Sequence, residues 1–401
     1  LIYSKPARVA TGRRARKGAE LSLEPTQTVA FRPCRRQFVS FNSVWREEDV
    51  TKTASDGVGL TKQAYGLAQD LMTPNATVYW ADMLVSVVLM WVGVVVAATT
   101  SNLAIGLAAG LVGVLALYRA LSFIHELTHI RDDEAPGFRL GWNLLVGIPL
   151  MTPSLMYEGV HNVHHVKDRF GTALDPEYLP LSRFTPIKLA GFLFVALLAP
   201  LGVILRSAIL VPLSFVIPSL RRLVRGRLSA LMINPDFTRE DVDRWRREWV
   251  IQDIACWLWS WAVIGTTVAG WLSLRGVLTG LAIFALATFL NQARTLVAHH
   301  WDNDGGKMTL DEQFLDSVNV PPPNVLSALW APVGLRYHAL HHLLPRLPYH
   351  NLGKAHARLA EALGADSIYH RASERGLVQA LAELFRRVGG EPKSPAKQPA
   401  L

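Results

Sequence analysis

Apolar residues in this chain are gathered in long blocks instead of recurring at one period throughout. Val78–Thr99, VYWADMLVSVVLMWVGVVVAAT, and Leu103–Phe123 form a pair separated by a turn without charge. Ile251–Leu274, rich in Trp, and Val277–Val297 form a second pair with Arg275-Gly276 between them. Each block matches the ~20 residues a helix needs to cross a hydrocarbon core. The pattern predicts an all-α integral membrane fold with about four transmembrane helices in two hairpins. Asp82 and Arg119 lie near block ends, where long or charged side chains reach the interface. Two further apolar stretches are interrupted: Leu140–Tyr157 by Pro149 and Pro153, and Ile187–Ile217 by Pro200, Arg206 and Pro212.

Charge gives the hairpins an orientation. The hairpin turns hold one Arg between them, whereas residues 125–250 hold about fifteen Lys and Arg. Basic residues concentrate on cytoplasmic loops, so this segment is expected on the cytoplasmic side, with both hairpins dipping away and returning. Leu140–Tyr157 must then not cross, and Ile187–Ile217 must cross an even number of times. A kinked helix lying in the interface is the preferred course for the latter, and an extra hairpin the alternative. A net charge of +9 with 50% hydrophobic and 18% charged residues fits the same picture. No nucleic-acid motif accompanies the basic balance. Residues 1–55 read as a basic, disordered tail, residues 56–355 as the membrane domain, and 356–401 as a helical tail with a disordered end. Leu377–Val388 reads as an amphipathic helix whose Arg386 and Arg387 favour its C-terminus. Two cysteines, Cys34 and Cys256, suggest neither a disulfide framework nor a thiolate metal site.

The chemistry lies in the histidines. None of the 13 falls in the first 124 residues, and ten occupy four places next to the apolar blocks. IHELTHI at Ile124–Ile130 carries His125 and His129 four apart, on one face of a helix. HNVHH carries His161, His164 and His165; HALHH carries His338, His341 and His342; His299-His300 follows the last block. HELTH alone is also a zinc-protease pattern, with Glu126 as base and a distant acid such as that of NPDF at Asn234–Phe237 as third ligand. That leaves the two H-x-x-H-H clusters unexplained. A catalytic zinc takes about three protein ligands, so eight spaced histidines point to two metal ions. Imidazole suits Fe, Cu, Zn and Ni alike. A carboxylate-bridged centre would show paired Glu-x-x-His motifs on helices, whereas within these histidine clusters Glu appears only as Glu126 of HELTH. A transporter would want ionisable groups at mid-membrane, which the blocks lack. Asp302-Asn-Asp304-Gly-Gly does not continue with the oxygen ligands of a calcium loop.

HELTH, HNVHH and HALHH, in that order around two membrane hairpins, resemble the three histidine boxes of the membrane fatty acid desaturase superfamily, whose relatives include hydroxylases, ketolases and alkane monooxygenases. The resemblance covers roughly residues 75–355. It implies a non-haem centre of two Fe on the cytoplasmic side, with O2 as co-substrate and a lipid acyl chain, as acyl-lipid or acyl-CoA, as substrate. The ligands it implies are His125, His129, His161, His164, His165, His338, His341 and His342. His299 is the match for a ninth ligand, with His300 its neighbour. Thr295 stands where the acyl-CoA-type relatives hold an Asn. The third box opens with His338, unlike the Gln of front-end desaturases. No His-Pro-Gly-Gly motif is present, so the electrons are expected from a separate carrier of ferredoxin or cytochrome b5 type. The expected reaction is desaturation, with hydroxylation or ketolation at the same centre as the alternative. Asp168, Asp175, Asp302 and Asp316 are candidate partners that fix histidine tautomers. Arg294, at the foot of the last block, could meet a carboxylate or phosphate head group or simply snorkel.

Overall fold

The computed structural model describes residues 56–240, 246–323 and 326–388. The basic tail and the last residues, both expected to be disordered, lie outside these. Among the described residues every regular element is helical, and three isolated bridges are the only strand-like pairings.

α1 (Asp56–Ala68) leads through a short 3₁₀ turn and Pro74 to α2 (Ala76–Thr99). Asn75 caps α2, its side chain accepting from Thr77 and Val78 N–H. Asn102 caps α3 (Leu103–Glu126) in the same way. The two helices pack closely because Gly93 faces Gly113: a Cβ on Gly93 would lie 2.7 Å from the Gly113 backbone. At ~1.5 Å per residue each helix is ~36 Å long, enough to cross a bilayer. Their outer faces expose Val85, Val88, Leu107 and Leu111, as a lipid-facing surface would.

α4 (Phe138–Trp142) runs into a π turn, and the chain then doubles back. The Asn143 side chain bonds both Ser154 N–H and Ser154 Oγ, at 2.8 Å each. Residues 140–157 therefore form a folded-back segment that does not cross, as the parity argument required. After α5 (His161–His164) comes a broken helical run. It comprises α6 (Pro186–Phe194), α7 (Ala199–Leu205), α8 (Val211–Val216) and, past a bend at Ile217, α9 (Pro218–Leu223). Pro186–Val216 is long and apolar enough to cross a membrane. Both of its flanks are nevertheless tied to the histidine end: Ser182 Oγ donates to Trp301 O, and Ile233 N–H to Pro176 O. The run thus enters and leaves on one side. Its breaks fall at the 3₁₀ turn before Pro200 and at the π turn 206–210. There Arg206, buried, pairs with Asp253 at 2.7 Å and with Ser229.

The second hairpin is α10 (Arg247–Val268) and α11 (Leu274–Thr295). Its turn lies at 269–273, earlier than the expected Arg275-Gly276. Gly270, at φ 76°, ends α10, and Ser273 caps α11 by accepting from Gly276 N–H. Arg275 falls in the first turn of α11 and donates to Thr100 O, which places both hairpin tips at the same end. Among the described residues the helices long and apolar enough to cross number four, as expected, but Pro186–Val216 takes the place of the Trp-rich Ile251–Leu274.

The remaining elements form a cap over the other end: α12 (Leu310–Asp316), α13 (Ser327–Trp330), α14 (His338–Leu343), α15 (Tyr349–Ala362) and α16 (Leu377–Arg387). α16 appears where the amphipathic pattern placed it. Thr309 and Glu312 form a capping box on α12. The buried Asn319 holds α14, accepting from Leu340 N–H through Oδ1 and bridging to Tyr337 and Ser373. An aromatic cluster of Tyr79, Phe123, Phe138 and Tyr349, with neighbouring centroids 5.0–6.4 Å apart, locks the cap onto the first hairpin.

Candidate metal centre

α3 ends at Glu126, so His125 sits in its last turn. The chain keeps a helical course one turn further, Ile130 N–H reaching Glu126 O, and this brings His129 beneath His125. α5 and α14 present the other two boxes. Backbone pairing of Val318 with Ala298 and of His300 with Asp316 turns the chain after α11 so that His299 faces inward. Trp301, fully buried at φ 62°, is a strained backbone position that the fold enforces: Ser182 holds its carbonyl and Leu296 O accepts its indole N–H.

Nine of the thirteen histidines converge in this way. His125, His129, His161 and His341 offer nitrogens within 4.8 Å of one another, and His164, His299, His338 and His342 do the same. His165 joins the first set, its Nε2 lying 2.9 Å from His161 Nε2 and 3.0 Å from His341 Nε2. In the second set His338 Nε2 is 3.0 Å from His299 Nε2 and 3.2 Å from His342 Nε2. The rings of His165 and His342, 4.5 Å apart, link the sets.

The outer nitrogens explain what the inner ones present. His164 Nδ1 meets both Asp175 oxygens at 2.8 and 2.9 Å, and His161 Nδ1 meets Glu177 at 2.9 Å. His299 Nδ1 lies 3.2 Å from Asp316, and His125 Nδ1 3.3 Å from Glu126. An ionised carboxylate only accepts, so beside such partners the Nδ1 atoms of His125, His161 and His164 carry the proton and turn each Nε2 lone pair inward. Lone pairs facing one another at 3 Å repel unless a cation lies among them. His125 Nε2 and His129 Nε2 are buried without any hydrogen-bond partner. Burial, reinforced by the neighbouring imidazoles, holds the pKa values of His129, His161, His165, His299, His338, His341 and His342 well below the usual histidine value. The rings are neutral and able to ligate. His164 alone is raised: burial opposes its charge, but Asp175 in contact outweighs it. Each group therefore fits one divalent cation.

Residues 100–373 match the family model described as fatty acid desaturase. The chain belongs to this family. It is similar to the ceramide hydroxylase of Caulobacter vibrioides (strain NA1000 / CB15N), with 76% identity over 351 residues, covering 88% of this chain and all of that protein. As a member of the desaturase family the chain is an oxidoreductase, and its histidine boxes are the residues that the geometry draws together.

Family membership leaves the details to the structure. His299 is inside the second group. His300 points away, toward Asp316, Asp302 and Arg387. Asp175 and Asp316 orient ligand candidates, whereas Asp168 meets the exposed Lys307 and Asp302 meets Arg387 at the surface. Three orienting residues escaped sequence reasoning. Glu177 bonds His161 and Tyr157; it lies two residues after Asp175 in D-P-E, a proximity that could have flagged it. Burial raises its pKa to about 7 and that of Asp316 to about 6. Glu126, read only as a would-be protease base, is held by Tyr79 OH at 2.6 Å and by Tyr349 N–H. Its carboxylate braces His125 from outside. Asn234 of NPDF donates to Ala173 O and Asp175 O, bracing the Asp175 loop, while Asp236 is exposed and stands apart from both groups.

A cavity of about 330 Å³ reaches this site from between the hairpins. Leu121, Ile124, Ala199, Val203, Phe284 and Ala287 form its apolar wall, and His125, His164, His299 and His338 its end.

Proposed function

We propose that this protein is a membrane di-iron hydroxylase acting on a ceramide or a closely related N-acyl lipid. The observation that carries the reading is the histidine array ending an apolar cavity, in a chain 76% identical to a ceramide hydroxylase. His125, His129, His161, His165 and His341 would hold one iron, and His164, His299, His338 and His342 the other. Two irons supply the oxidising power for an unactivated C–H bond, which no side-chain acid or base can break. The overall change is R–H + O2 + 2e⁻ + 2H⁺ → R–OH + H2O. The residues themselves do three things. The carboxylates of Asp175, Glu177 and Glu126 fix the tautomers of His164, His161 and His125 so that Nε2 stays available. The apolar wall aligns the chain and keeps water from the reacting carbon. Tyr157 and His161 share the Glu177 carboxylate, which ties the second box to the wall of the cavity.

Hydroxylation is preferred to the desaturation expected from the boxes, because the similar curated protein is a hydroxylase. The site lies on the cytoplasmic side by the distribution of basic residues, and a separate small electron carrier supplies the two electrons. The test is lipid profiling of a host that makes ceramides, expressing the full chain with a working reductase, against His161→Ala. Lipids heavier by one oxygen atom support the reading. Products lighter by two hydrogens would return it to desaturation, and unchanged lipids would overturn both.

A further inference from the structure

One basic side chain remains unused by this chemistry. Arg294 lines the cavity beside the histidines, and its Nε is buried without a hydrogen-bond partner. Its nearest polar neighbours are Asn291 Oδ1, at 3.4 Å, and the Tyr118 hydroxyl, which already donates to Trp330 O. Gln292 and Thr295 line the same wall, each donating to a backbone carbonyl of a helix, Phe192 O and Asn291 O. A guanidinium has five donors, so Arg294 keeps several for whatever enters. A snorkelling arginine would reach away from the site. This one faces it, close enough for its charge to act on Glu177, His299 and His338. Buried donors near carbon walls are costly unless matched by acceptors.

Position along α11 gives this distance a meaning. The helix lines the cavity with Phe284 and Ala287 first, then Thr288 and Asn291, and then Arg294 in its last turn, after which the chain bends to bring His299 into the same cavity. Ala287 and Phe284 lie ~10 and ~15 Å back along the helix axis from Arg294. Along α11 the polar positions therefore lie nearer the histidine end of the cavity than the apolar ones. An enzyme oxidising the middle of a chain would need apolar wall on both sides of its metals.

Resting on the hydroxylase reading above, we infer that Arg294, supported by Asn291, is the subsite for the carbonyl of an N-acyl lipid, and that the oxidised carbon lies within a few bonds of that carbonyl. Arg294 is a binding residue that sets the position of oxidation.

The test uses the full chain in detergent with N-octanoyl long-chain amino-diol as probe, comparing wild type with Arg294→Met, Arg294→Lys and Asn291→Leu. Binding is followed by the ligand-induced rise in Tm and by calorimetry, iron is counted per chain, and the oxygen is placed by fragmentation of the product. Loss of one charge-assisted hydrogen bond should weaken binding about ten- to hundredfold in Arg294→Met, with Lys recovering part of it and iron unchanged. The new oxygen should sit on the first few acyl carbons. Wild-type affinity in Arg294→Met, no binding to wild type, loss of iron in Arg294→Met, or oxygen at mid-chain would each overturn the proposal. Should Arg294→Met not fold, Lys and Asn291→Leu must show the weakening, and wild-type affinity in both overturns it. Arg294-dependent binding without any oxygen insertion would uphold the subsite while removing the hydroxylase reading.

Discussion

Replacing Asp175 by Asn tests whether the second histidine group depends on its outer carboxylate. Asp175 is fully buried and each of its oxygens is committed twice: Oδ2 to Gly171 N–H and Oδ1 to Glu177 N–H, both at 2.8 Å, and both to His164 Nδ1. An amide of the same shape cannot replace it. Whichever way the Asn turns, its NH2 meets a backbone N–H, leaving one buried donor unsatisfied at ~1–3 kcal/mol. The charge that fixes the His164 tautomer is also lost. Removing such an outer partner typically costs about 10- to 100-fold in metal affinity, or ~1.4–2.7 kcal/mol. Asp175→Asn should therefore lose the iron of the His164 group first, giving close to one iron per chain under chelator concentrations that leave wild type with two. Asp168→Asn is the control, since that carboxylate meets only Lys307 at the surface and both side chains are 73% exposed. The assay is elemental analysis of purified protein over a chelator series. Two tightly held irons in Asp175→Asn, or equal losses in both variants, would refute the reasoning.

Three further outcomes are expected. His299→Ala should cost an iron whereas His300→Ala should not, as elemental analysis of the two would show, because only His299 turns toward His338. Breaking the buried Arg206–Asp253 pair by Asp253→Ala should lower stability by ~3–5 kcal/mol, and Arg206→Met with Asp253→Leu should recover most of it; thermal unfolding in detergent reads both. His356, in contact with the Tyr369 hydroxyl, has its pKa lowered to about 4, first by burial and then by Arg336 and His370. The unfolded chain then binds the extra proton between pH 6.5 and 4, so this contribution is complete above pH 6.5 and lost as pH falls toward 4, at most ~3 kcal/mol. His356→Gln should flatten the wild-type decline in Tm over that window, and an unchanged slope would count against it.

How far the chain could be read depended on distance along it. The apolar blocks, the spacing of HELTH, HNVHH and HALHH and the amphipathic Leu377–Val388 are local patterns, since burial in lipid and helical period act over neighbouring residues. They determined an all-helical membrane protein and the identity of the histidines that meet. Parity also required 140–157 to turn back and 187–217 to leave on the side it entered, and bonds such as Ile233 to Pro176 and Asn143 to Ser154 do this. Other decisions were made only by tertiary packing. Which histidines share a group, and Asp175 and Glu177 over Asp168, depend on contacts between residues far apart or on a loop's exact path, whereas His299 was already preferred to His300 from the resemblance. Arg294 read from its place in the chain as an interfacial anchor sooner than as a head-group partner. The convergence of α3, α5, α11 and α14 turned it into the cavity. Local hydropathy tells a segment whether to enter the membrane, but only the closing of all segments upon one another tells a side chain what it will face.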